Sequence, residues 1–136
     1  MKSIKFTLLA ALIFILNSCS ETYEFPVSKV TPAADIIAEI KEQQDPNYLV
    51  SLEAKNLAAP ERLEKPKKNY VIWVMSKKGT LRNVGHFNQE NAVKSTYTAS
   101  FPYQPMEILI TAEDEEGGCF PDGIEISRLN LRKNKK

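Results

Sequence analysis

Residues 70–75 (YVIWVM) are apolar at every position. In a strand, successive side chains point to opposite faces, so Tyr70, Ile72 and Val74 would line one side and Val71, Trp73 and Met75 the other. Such a strand has no face to give to water and belongs in the middle of a sheet covered on both sides. The segments around it obey the same period. Asn47 to Leu57 puts Val50, Leu52 and Ala54 opposite Ser51, Glu53 and Lys55, and Ser95 to Phe101 turns Tyr97, Ala99 and Phe101 inward. Ser76-Lys77-Lys78-Gly79-Thr80 reads as a hairpin turn into Leu81 to Phe87. Met106 to Glu113 and Ile124 to Leu131 flank the turn-forming run DEEGGCFPDG. Six or seven short strands at spacings of roughly 8–12 residues predict an all-β, antiparallel sandwich of about seven strands.

Residues 31–42 (TPAADIIAEIKE) carry two patterns at once. Thr31 as a cap, Pro32 at the first helical position and apolar residues at 33, 36, 37 and 40 describe a helix. Ile36, Ala38 and Ile40 also alternate as in a strand, and the turn at 43–47 (QQDPN) would then form a hairpin with the next segment. We expect the strand, because a lone helix would find no sheet face left to cover.

The amino terminus reads as an address. Lys2 and Lys5 precede the eleven-residue apolar run Phe6 to Leu16, which suits a signal-peptide core and falls short of the ~20 residues that span a bilayer. The run ends in Leu16-Asn17-Ser18-Cys19, which resembles the lipobox of bacterial lipoproteins, with Asn17 where a small or aliphatic residue is usual. The resemblance implies cleavage before Cys19 and acylation of its thiol. Ser20 after that cysteine, with no Asp there, points to the outer membrane under a common sorting habit of Gram-negative bacteria. The organisation expected is a signal peptide at 1–18, a lipidated tether at 19–33, a sandwich at 34–131 and a basic tail at 132–136.

Apolar residues make up 46 of the 118 positions after residue 18, enough for a globular core. The net charge of +1 suggests no nucleic-acid partner. It divides unevenly, with eleven basic and seventeen acidic residues between Cys19 and Ser127 and five basic residues after them. The terminal run reads as a solvated end. With Cys19 acylated, Cys119 has no partner within the chain and reads as a semi-buried thiol in a turn.

Little in the sequence points to catalysis. His86 is the only histidine, so any Ser-His or Cys-His pair must use it, and no Gly-x-Ser-x-Gly, phosphate loop or dinucleotide fingerprint occurs. One histidine and one unlipidated cysteine offer no cluster for zinc or copper, and no cofactor is expected. Glu113, Asp114, Glu115 and Glu116 form a candidate weak cation site, although they lack the every-second-residue spacing that wraps one ion. A solvated hairpin tip is the plainer reading. Trp73 reads as core packing on a central strand. Tyr97, Phe101 and Tyr103, beside Pro102 and Pro105, form either an exposed interaction patch or the closed end of the sandwich.

From about Ala34 to Ser127 the order of features resembles the extracytoplasmic C-terminal domain of anti-sigma-K factors and related bacterial lipoproteins. The matching pieces are Asn56-Leu57 with Pro60, the strand Asn69 to Val74, Val84-Gly85-His86-Phe87, Ile108 to Thr111 running into Glu113, and Gly117-Gly118 followed by Pro121-Asp122-Gly123. The resemblance implies an immunoglobulin-like sandwich outside the cytoplasm, with no catalytic residues to carry over. The cytoplasmic helical part that holds a sigma factor, and the membrane helix that joins it, have no counterpart here. The function expected is a non-catalytic binding module on a lipid anchor, partnered by an envelope protein or surface ligand. An envelope-stress sensing partner and a small hydrolase or carrier with a loop-built site are the alternatives.

Overall fold

The structure, a computed structural model, describes residues 19–132. The signal-peptide reading of 1–18 and the tail beyond Arg132 lie outside the described residues. Nine strands follow in order: β1 (Ser20–Glu24), β2 (Asp35–Glu42), β3 (Tyr48–Lys55), β4 (Asn69–Met75), β5 (Leu81–His86), β6 (Asn88–Gln89), β7 (Lys94–Phe101), β8 (Glu107–Glu113) and β9 (Ile124–Asn130). They form two antiparallel sheets, one ordered β1-β2-β3-β7-β6 and the other β5-β4-β8-β9. The all-β sandwich is the architecture, and seven of its strands are those read from alternation. The other two are β1 and the two-residue β6, both at sheet edges.

Residues 35–42 are a strand. β2 pairs with β3 along its whole length, from Asp35 opposite Lys55 to Glu42 opposite Tyr48, and the Gln43 N–H closes the hairpin on the Asn47 carbonyl at 2.8 Å. Ile36 and Ala38 are buried while Ile37 is 38% exposed, a division that period two produces and a helical face would not.

The tether expected at 19–33 is structured instead. Ser20 to Glu24 pair residue for residue with β2, and the Phe25 N–H adds a bond to the Ile36 carbonyl at 2.9 Å. The segment gave no strand signal because it is polar and mostly exposed, as an edge strand can be. Phe25 and Ala34 enter the core, and Ser127 Oγ holds the Pro26 carbonyl at 2.7 Å.

One core lies between the sheets. Ile36, Ala38, Val50 and Leu52 from one meet Ile72, Val74, Ile108 and Ile110 from the other. Val71, Trp73 and Leu109 form a second cluster on the far face of β4 and β8, with Leu81 against it. The strand with two apolar faces therefore has both covered. A bulge between Ile72 and Trp73 leaves Val84 as the extra residue of β5, next to Gly85 at φ +134°. A Cβ on Gly85 would stand 3.0 Å from the Tyr97 ring, whose hydroxyl donates to the Val84 carbonyl at 2.8 Å. Backbone conformation and space both require glycine there.

The strand at 35–42 carries a direct test. Ile36→Ala should cost about 2–4 kcal/mol of unfolding free energy, and Ile37→Ala less than about 1 kcal/mol. Chemical denaturation giving equal losses would contradict the strand.

Candidate functional site

The two ends of the sandwich differ in kind. At one, Cys19 is exposed one residue before β1. It borders a hollow of about 490 Å³ together with Tyr23, Tyr48, Lys77, Met106 and Arg132. The residues come from β1, β3, the β4–β5 turn, the β7–β8 crossing and the exit from β9, so the register of both sheets fixes them around the thiol. Tyr23 donates to the Glu21 carboxylate, and that contact holds its phenol up at about 12. The site offers a reachable thiol set directly on the folded body.

At the other end the 114–123 loop folds back over the outer face of β4 and β8. Trp73 is 1% exposed, and Asn83 Nδ2 pins the loop by donating to the carbonyls of Glu116 at 2.6 Å and Gly118 at 3.1 Å. Beneath the loop runs a chain of hydrogen bonds. Trp73 Nε1 donates to Thr111 Oγ1 at 2.8 Å, and Thr111 Oγ1 donates to Glu113 Oε1 at 2.7 Å. The Glu113 carboxyl is buried and faces the Asp122 side chain, so burial first, and Asp122 next, push its pKa above the ordinary range. The Thr111 hydroxyl and the Gly123 backbone pull the other way and lose. A Cβ on Gly123 would stand 2.0 Å from the Ala112 carbonyl and 2.7 Å from Glu113 Oε2, so the loop can close only on glycine.

This geometry disperses the candidate cation site. Glu113 is buried in the hydrogen-bonded chain, Asp114 pairs with Lys67 at 3.1 Å, Glu115 is exposed and Glu116 faces His86 Nε2 at 3.6 Å. Three of the four adjacent carboxylates thus point to different partners and Glu115 to solvent, because a loop that returns across a sheet turns successive side chains apart. Among the described residues, no group of three or more His, Cys, Asp or Glu is placed to hold a metal ion. His86 Nδ1 lies 3.1 Å from the Phe87 carbonyl, and among the described residues the ring's polar contacts are that carbonyl and Glu116.

The aromatic patch resolves toward the closed end. Tyr97 and Phe101 are buried in the core and only Tyr103 is half-buried beside them, its ring centroid 5.6 Å from that of Phe101. Burial pushes the Tyr97 phenol up to about 12, keeping it a hydrogen-bond donor. Trp73 packs as expected but on the outer face, in the second cluster. Cys119 is exposed in the loop, not semi-buried. The sequence does not reveal the buried Glu113 carboxyl or its exposed neighbour Asp122. The only signal for Glu113 is a carboxylate at the inward position of a strand end. Comparison with protein families, curated proteins and solved structures finds no match to this chain.

Glu113 makes stability pH-dependent. A carboxyl whose pKa is raised on folding contributes stability that is fully present below the ordinary carboxylate range and is lost as pH rises through the folded value. Glu113→Gln stays neutral throughout, so its melting temperature should gain on the wild type as pH climbs from about 4 to 7; parallel curves would contradict the assignment. Gly123→Ala should cost about 2 kcal/mol or more by overpacking, read by urea denaturation.

Proposed function

We propose that this protein is a lipid-anchored, non-catalytic binding module of the bacterial envelope, acylated at Cys19 and sorted to the outer membrane. The observation that carries the reading is the position of Cys19: exposed, preceded by two lysines and an eleven-residue apolar run, and one residue ahead of β1. Acylation supplies the membrane affinity, since each buried methylene adds about 0.8 kcal/mol and two or three chains together hold a protein stably. Because β1 belongs to the sheet, the anchor acts on the sandwich without a long leash. The end carrying the 114–123 loop then faces away from the bilayer and presents Phe120, 70% exposed, beside acidic side chains. The partner is an envelope protein or surface ligand met at that end. The resemblance to anti-sigma-K extracytoplasmic domains supports a binding role over a catalytic one.

Intact-mass analysis of the protein extracted from membranes should give an amino terminus at acylated Cys19, and labelled palmitate should be incorporated. Cys19→Ser should lose the label and move the chain to the aqueous phase of a detergent partition. An unmodified Cys19, or cleavage elsewhere, ends the reading.

A further inference from the structure

The end of the sandwich that carries Cys19 collects unpaired positive charge. β1 starts with Ser20 opposite Lys41. The β4–β5 turn exposes Lys77 and Lys78, and Arg82 follows on the exposed side of β5, close enough to Tyr103 to act on its phenol. β9 ends with Asn130 opposite Glu107, which leaves Arg132 exposed at the same end, and the sequence continues through Lys133, Lys135 and Lys136. Cys19, Lys77 and Arg132 border a single hollow, so the acylation site, the turn and the exit of β9 share one rim.

The two ends differ in the balance of charge: among the described residues Lys29, Arg62, Lys65 and Lys68 at the far end also form no ion pair, but the carboxylates of the 114–123 loop gather there with them. Away from Cys19, Lys55 and Lys94 pair with Glu53, and Lys67 pairs with Asp114. At the rim, Glu107 is taken by Arg128. Among the described residues, Lys41, Lys77, Lys78, Arg82 and Arg132 form no ion pair. Glu21, Glu42 and Asp45 oppose them only in part, while the far end holds Asp114, Glu115, Glu116 and Asp122 in one loop. Tyr23, Tyr48 and Tyr103 are half-buried at the rim, the residue type that places a ring in the apolar boundary and a hydroxyl among headgroups.

We propose that this rim docks on the anionic headgroups of the bilayer that holds the anchor. The surface potential of an anionic leaflet decays within a Debye length of ~8–10 Å. A cysteine one residue from β1 keeps the rim within that distance, at ~3.5 Å per extended residue. The bilayer is the occupant because the anchor delivers it to every copy of the chain. Docking sets the domain upright, with the acidic loop repelled outward, and so deepens the anchoring reading on which it rests.

The test uses residues 20–136, which carry all nine strands and both described clusters, without an acyl group. It is mixed with vesicles of phosphatidylcholine alone, or of equal parts phosphatidylcholine and phosphatidylglycerol. The chain should sediment with the anionic vesicles only, and less as salt is raised. Lys77→Ala with Lys78→Ala should lower that affinity roughly 25-fold, at roughly fivefold per basic residue. Lys65→Ala with Lys68→Ala, equally exposed at the far end, should leave it unchanged, with melting temperatures confirming that both variants fold. Failure to bind, equal binding to neutral vesicles, or equal loss in both variants overturns the proposal. Acylation is read separately by mass. An acylated chain whose body ignores anionic vesicles overturns the rim alone, and an unacylated chain whose body binds them overturns the anchor alone.

Discussion

A strand with two apolar faces needs two covers, and the structure is arranged around providing them for β4. The first is the opposite sheet, whose Ala38, Val50 and Leu52 share the core with Ile72 and Val74. The second is the 114–123 loop, which reaches the Trp73 ring at Gly118, together with Leu81 packed against Val71, Trp73 and Leu109. An indole N–H buried without a partner would cost about 1–3 kcal/mol, and Thr111 removes that cost by accepting it. Thr111 in turn donates to Glu113, so a tryptophan placed for its apolar area brings a carboxyl below the surface with it. The pKa of Glu113 is raised by that burial and by the neighbouring Asp122, against the opposing pull of the Thr111 hydroxyl.

That arrangement also sorts the ends of the molecule. The loop, its acidic side chains and most of the ion pairs gather at the end where β8 turns into β9. The short hairpins and the chain's exit from β9 gather at the other, with Lys41, Lys77, Lys78, Arg82 and Arg132. The edges are managed by simple means. β1 is polar and five residues long, and β6 has two residues, so the larger sheet offers little backbone for another chain to extend. With β1 paired to β2 at the sheet's edge, Cys19 is part of the body's surface, and an acyl group there would constrain orientation as well as location.

Much of the fold was legible because a half-buried strand writes its burial as alternation. Val50, Leu52 and Ala54, or Ile72 and Val74 against Val71 and Trp73, can be read without coordinates. Residues 31–42 were ambiguous because Ile36 and Ile37 satisfy a helical stripe while Ile36 and Ala38 satisfy a strand, and pairing with β3 decides between them. β1 was illegible because an edge strand with both faces near water needs no apolar residues. The acidic run read as a solvated tip because its sequence holds only turn formers and charge. What pulls it down is the exposed outer face of a sheet elsewhere in the chain.

The sequence by itself determined the class of fold and the central strand, since each rests on a run of neighbouring residues. The tertiary structure decided which carboxylates are buried, that Tyr97 and Phe101 close the core, and that Lys41, Lys77, Lys78, Arg82 and Arg132 meet on one rim. Those depend on residues up to about a hundred positions apart, such as Ser127 and the Pro26 carbonyl. Local periodicity carries the direction of each side chain along its own strand. Only the pairing and stacking of strands carries which distant residues that direction brings together.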